Sequence, residues 1–107
     1  MNENDALLKI RIVTPIGEAA SASCDSIRLN MADDASGRSG GSVGIRKGHE
    51  NAVISLAPGV AEGRLNGELV FSAKIKGGFA TVKDNLVTVV TDSLEDIELT
   101  NNESTAN

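Results

Sequence analysis

The stretch Val60-Ala61-Glu62-Gly63-Arg64-Leu65-Asn66-Gly67-Glu68-Leu69-Val70-Phe71-Ser72-Ala73 decides the fold. Asn66 and Gly67 both tolerate positive φ, and an Asn-Gly pair between two apolar-rich runs is the strongest short-range signal for a two-residue β-hairpin. The runs on either side are too short and too rich in small and β-branched residues for helices. A hairpin at the centre of the chain asks what the rest of the chain adds to it.

Working outward, the same grammar repeats. On the C-terminal side, Gly77-Gly78 permits a sharp bend. Thr81–Val82 and Leu86–Thr91 then flank Lys83-Asp84-Asn85 as a second hairpin. On the N-terminal side, Ala52, Ile54 and Leu56 alternate with polar or small residues up to Pro58-Gly59, a strong turn pair. Val43 and Ile45 make a short strand before the Lys47-Gly48 turn. Ile27, Leu29 and Met31 alternate with Arg28 and Asn30, and Leu8, Ile10 and Ile12 alternate with Lys9 and Arg11 up to the break at Pro15 and Gly17. Between these lies a weaker Ala/Ser segment. Residues 32–42 have loop composition. The expectation is an all-β, flattened sandwich of short strands.

A chain of 107 residues fits one domain, since two separate cores would each be too small to hold together. Aromatics are only 2% of it, two Phe without Trp or Tyr, so the core must be built from Ala, Val, Leu and Ile. The formal net charge of -5 is localised. Residues 1–91 are charge-balanced, and the acidic excess lies in Asp92, Glu95, Asp96, Glu98 and Glu103. We therefore expect a globular domain over residues 1–91 and an acidic, disordered C-terminal tail over 92–107. With almost no aromatics and a pI near 4.7, nucleic acid is excluded as a partner. No apolar stretch is long enough to span a membrane as a helix.

Motifs with catalytic potential dissolve on inspection. Gly37, Ser39 and Gly41 match a nucleophile-elbow pattern, but a strand follows instead of a helix, and His49 is the lone histidine. Asp33-Asp34 lacks the carboxylate and Gly spacing of a calcium loop. Cys24 has no basic neighbour to favour its thiolate. Asn102-Glu103-Ser104 is a glycosylation sequon by pattern only. The residues point to no catalytic set, no cofactor and no metal. A ligand-binding or carbohydrate-binding sandwich remains an alternative, weakened by the missing Trp and Tyr that usually stack on sugars.

Gly44-Ile45-Arg46-Lys47-Gly48-His49, followed by Ile54, Leu56 and Pro58-Gly59, resembles the epsilon subunit of F-type ATP synthases. Gly77-Gly78-Phe79, Val82 and Asn85–Val90 are similar to that family's later segments, and Leu8–Thr14 sits where its first strand would. The resemblance covers roughly residues 7 to 99. It implies a sandwich of about ten strands acting as a non-catalytic rotor subunit. This subunit couples gamma to the c-ring of a proton- or sodium-translocating synthase, at the cytoplasmic face of the bacterial inner membrane. It further implies that Ser42, Gly44, Ile45, Gly48, His49, Pro58, Gly59, Gly77 and Gly78 are motif and partner-interface candidates.

Two departures qualify the resemblance. The 32–42 connection is longer than usual and has no acidic residue beside Val43, so altered ring contacts are expected. Ile97-Glu98-Leu99-Thr100-Asn101-Asn102 stands where some members carry a nucleotide-binding motif, with Glu for Asp and Asn-Asn for Arg-Ala. Neither ATP binding nor inhibition through C-terminal helices is expected, and no small-molecule substrate.

Overall fold

In the computed structural model, which describes residues 7–33, 40–92 and 94–99, ten strands stack as two five-stranded sheets. They are β1 (Leu8–Thr14), β2 (Gly17–Cys24), β3 (Ser26–Asn30), β4 (Ser42–Arg46), β5 (Ala52–Leu56), β6 (Gly59–Leu65), β7 (Glu68–Ile75), β8 (Gly78–Lys83), β9 (Leu86–Val90) and β10 (Leu94–Leu99). Sheet one has the order β2-β1-β9-β8-β5, and sheet two the order β10-β7-β6-β3-β4. All pairings are antiparallel except β1 with β9. The all-β sandwich read from the sequence is the fold.

Alternation dictates the layers. Leu8, Ile10, Ile12, Ala80, Val82, Val87 and Val89 of sheet one meet Ile27, Leu29, Ile45, Ala61, Phe71, Ala73 and Ile75 of sheet two, all buried. Phe71 is the one large ring in this core, and Ala61, Ala73 and Gly63 leave room beside it. A Cβ on Gly63 would sit 3.2 Å from the Cys24 sulfur and 3.4 Å from the Phe71 Cβ. Close backbone approach thus fills what bulky side chains do not.

The two hairpins expected from sequence are present. Asn66 (φ 55) and Gly67 (φ 85) join β6 to β7, and Asp84 (φ 52) and Asn85 (φ 64) join β8 to β9. Both residues of each turn have positive φ, as a type I′ connection requires.

One expectation needs correction. Leu94–Leu99, assigned from composition to the acidic tail, forms β10 and pairs with β7 at the edge of sheet two. Leu94 and Ile97 are three residues apart, so a regular strand would turn them to opposite faces. A register shift between Leu94 and Asp96 brings both against the core. The sandwich therefore continues past Asp92. Thr100 to Asn107, with the sequon and the end of the expected nucleotide motif, lies outside the described residues, as do Asp34, Gly37 and Ser39.

Candidate partner interface

The sandwich has two ends. The first carries the β1–β2 turn at 15–16, the β3–β4 connection, the 57–58 and 76–77 crossings between sheets, and Asp92. The second carries the Asp25 corner, the 47–51 turn and both type I′ hairpins. The interface candidates divide between them. Ser42, Pro58, Gly59, Gly77 and Gly78 fall at the first end, Gly48 and His49 at the second. Gly44 and Ile45 lie mid-strand in β4, and Ile45 is fully buried opposite Ile27.

The first end is tightly tied. Ala57 N–H donates to the Asn30 carbonyl at 2.9 Å, and Ala32 N–H to the Ser55 carbonyl at 2.9 Å. These bonds and the Met31–Leu56 bridge close one side of the sandwich. The Gly40 and Gly41 base of the long connection is pinned by Met31 N–H to the Gly41 carbonyl at 2.8 Å and Gly40 N–H to Asp33 Oδ1 at 3.2 Å. Gly78 has φ +125, and a Cβ there would collide with the Val90 carbonyl oxygen. The motif glycines at the crossings are thus places of close approach, Gly78 to neighbouring backbone and Gly59 to the Asn30 side chain.

At the second end, Lys47-Gly48 makes a turn closed by His49 N–H to the Arg46 carbonyl at 3.1 Å. Gly48 N–H donates to Asn85 Oδ1 at 2.8 Å, which ties this turn to the β8–β9 hairpin. The His49 ring engages its neighbour's carbonyl, Nδ1 to Glu50 O at 2.7 Å. It is a turn residue here, with no acid or nucleophile brought to it by any bond among the described residues. Asp25 joins the β2–β3 corner to the β6–β7 turn by accepting from Asn66 N–H at 2.9 Å.

Sequence reading missed an apolar row on the outer face of sheet one. Val13, Val90 and Phe79 occupy neighbouring register positions, with Ser55 next on β5. Phe79 is 43% exposed, and Ile16, at the tip of the β1–β2 turn of the same end, is 98% exposed. Alternation hid the row, because each strand contributes one outward apolar residue and only the register aligns them. The row is bordered by Thr88, which accepts from Arg11 Nε at 3.2 Å.

No chemistry competes with this surface. Among the described residues no group of His, Cys, Asp and Glu side chains could hold a metal ion. Burial pushes the Cys24 thiol up to about 11, with the Asp25 carboxylate adding to the shift, so it stays protonated and inert at neutral pH. The depressions on β3–β4–β6, at Leu7–Lys9 and along β5–β8 are open and lack aromatic walls.

The tied ends and the outward apolar row that finishes in the exposed Phe79 give the sandwich the surface of an interaction module. The chain belongs to the ATP synthase Delta/Epsilon chain β-sandwich domain family, whose model matches residues 7–97. No curated protein matches it significantly. Among solved structures it is similar to a chain of the Euglena gracilis mitochondrial ATP synthase (OSCP/F1/c-ring, rotational state 1), with 25% identity and a TM-score of 0.67 over 84% of this chain and 53% of that one. It therefore spans about half the length of that relative. A chain of the Tetrahymena thermophila mitochondrial ATP synthase central stalk and c-ring shares the fold at 19% identity, with a TM-score of 0.61 over 83% of this chain and 66% of that one.

Proposed function

We propose that this chain is a non-catalytic central-stalk subunit that couples gamma to the c-ring of a proton- or sodium-translocating F-type ATP synthase. The family match supports this reading, as do the stalk and c-ring assemblies that contain the similar structures. The observation that carries it is the outward row Val13–Val90–Phe79, half-buried at the two valines and exposed at Phe79, with the exposed Ile16, set beside an end held by backbone ties and sterically required glycines. Torque transfer needs a static interface on a body that does not yield. Apolar area gives the interface its affinity, and the crossings at Gly59 and Gly77-Gly78 give the body its rigidity. In a bacterium the module sits on the cytoplasmic side of the inner membrane, where the catalytic head lies.

Nucleotide is no part of this role. The reading rests on Glu98 and Asn101-Asn102 standing where the resemblance implies Asp and Arg-Ala. Calorimetry with ATP is expected to show no micromolar affinity.

The central test uses co-purification with gamma and c-subunits. Phe79→Asp combined with Ile16→Asp should lower recovery of the assembled stalk at least about tenfold, with thermal unfolding of the isolated chain little changed, because both side chains face solvent. Wild-type recovery with this variant would sink the proposed interface.

A further inference from the structure

The outer face of sheet two differs in kind from the apolar row. On it, β3 and β4 form a checkerboard: Ser26 lies opposite Arg46, and Arg28 lies opposite Gly44. Two arginines thus sit diagonally across from one another with small residues, Ser26 and Gly44, at the other corners. The depression between them is about 120 Å³ and extends to Glu62 and Arg64 on β6. Arg64 is already engaged by Glu62, Nη2 to Oε1 at 3.7 Å. Arg28 and Arg46 have no ion-pair or hydrogen-bond partner among the described residues.

Gly44 is the second observation. Its φ is not positive, and a Cβ built on it would meet nothing within 4 Å. Neither backbone conformation nor packing within the chain requires glycine there, and glycine weakens a strand interior. A mid-strand glycine without an internal reason marks close approach by something outside the chain. Here that approach falls between two unpartnered guanidinium groups, which are fork-shaped donors suited to bidentate pairing with carboxylates.

We propose that the β3–β4 face is a docking surface for an acidic segment of a partner protein, whose carboxylates pair with Arg28 and Arg46 over the gap left by Gly44. Charge complementarity selects this occupant. Diagonal like charges repel until a carboxylate lies between them. The site is open along its length, so a small free anion would keep its water and be held only by screened charges. A docked protein surface excludes that water and strengthens the pairs. Glu62, which pairs with Arg64 and lies opposite Arg28 in the register, repels a compact polyanion from the β6 side and leaves the β4 side, along Gly44 and Arg46, to an extended one. The inference does not depend on the stalk reading, since it uses a different face and different chemistry.

The test titrates the full isotope-labelled chain with an acetylated, amidated hexaglutamate peptide at low salt, alongside inorganic pyrophosphate, and follows backbone amides by NMR. The peptide should shift Ser26, Arg28, Gly44 and Arg46, and the response should fade at several hundred millimolar salt. Arg28→Ala with Arg46→Ala should weaken peptide binding at least about tenfold. Gly44→Val, which keeps both arginines, should weaken it about fivefold or more by filling the gap, and Lys83→Ala should leave it unchanged. Equal shifts around Lys9, Lys74 and Lys83 would overturn the proposal as diffuse attraction. Tighter binding of pyrophosphate at the same residues would overturn it in favour of a small-anion site, and full peptide binding by Gly44→Val would remove the role of the gap. Because the readout needs neither gamma nor c-ring, failure here leaves the stalk assembly test standing, and the reverse.

Discussion

Both ends of the sandwich hold glycines set by φ, with Gly17 and Gly41 at the first, but only the first also holds glycines set by contact. At the first, Gly40 and Gly78 are required by contact: a Cβ at either would collide with backbone, of Met31 and Ala32 in one case and of Val90 in the other. At the second, Gly48 and Gly67 have φ +85 and open space around the missing Cβ. They are required by conformation alone. The first end is where the chain changes sheets three times, so strands from both layers press together there. The second changes sheets twice, at the Asp25 corner and the 47–51 turn, and adds the two hairpins, with side chains bonding its turns together. The contrast is one of means: at the first end backbone meets backbone with no room for a Cβ, and at the second side chains bond the turns together.

The largest expected effect separates the ends directly. Gly78→Ala should destabilise the chain by about 3 kcal/mol or more, because the methyl meets a carbonyl that cannot rotate away and φ +125 disfavours any L side chain. A shift in the urea midpoint, with an unchanged denaturant slope, is the measurement. A loss near 1 kcal/mol would mean that β8 and β9 part readily, and the contrast between the ends would collapse.

The next test probes the interior that both ends share. The buried thiol of Cys24 titrates at about 11 against an ordinary 9.0, so the folded state holds its proton where the unfolded state has lost it. Its contribution is therefore fully present below about pH 9 and is lost as pH rises towards 11, for a total of up to about 3 kcal/mol. Cys24→Ala should flatten that part of the stability profile relative to wild type. The two chains differ in this one group, so the difference between the two curves is the quantity to read. Parallel curves would mean that the thiol is solvated in the native state.

Much of this architecture was legible beforehand, and the exceptions have physical causes. The hairpin at Asn66-Gly67 announced itself because turn chemistry is local. The strand Leu94–Leu99 did not, because Leu94 and Ile97 share a face only through a bulge, and a bulge breaks the two-residue rhythm that sequence reading relies on. Pro58-Gly59 and Gly77-Gly78 were visible as motifs, but their meaning, contact of Gly59 with Asn30 and of Gly78 with Val90, is tertiary. Surface features were the least legible. Val13 reaches Val90 from the opposite end of the sequence, and even on the consecutive strands that carry Phe79 with Val90 and Arg28 with Arg46 only the register decides which side chains are neighbours.

A smaller effect sharpens the reading of the second end. Asn85 supplies both a positive φ of 64 and the oxygen that accepts from Gly48 N–H at 2.8 Å. Asn85→Ala should lose both, at about 2 kcal/mol, whereas Asn85→Gly keeps the conformation and should lose only the bond, at about 1 kcal/mol. Equal losses for the two variants would mean that the tie between turns contributes everything and the conformation nothing.

The smallest effect completes the contrast that Gly78 opens. Gly67→Ala places a methyl in open space, so the penalty is conformational only, about 1 kcal/mol for the left-handed backbone. Part of it is offset because alanine also narrows the unfolded ensemble. Gly67→Asn should fall below even that value, since asparagine tolerates this conformation, as Asn66 beside it does at φ 55. The same pair of substitutions at Gly78 has no such rescue, because any Cβ meets the Val90 carbonyl whatever the side chain beyond it. Asparagine rescue at position 67 and its absence at 78, read as two urea midpoints each, therefore separates glycine held by φ from glycine held by contact. Rescue at both positions would return Gly78 to the class of ordinary turn glycines.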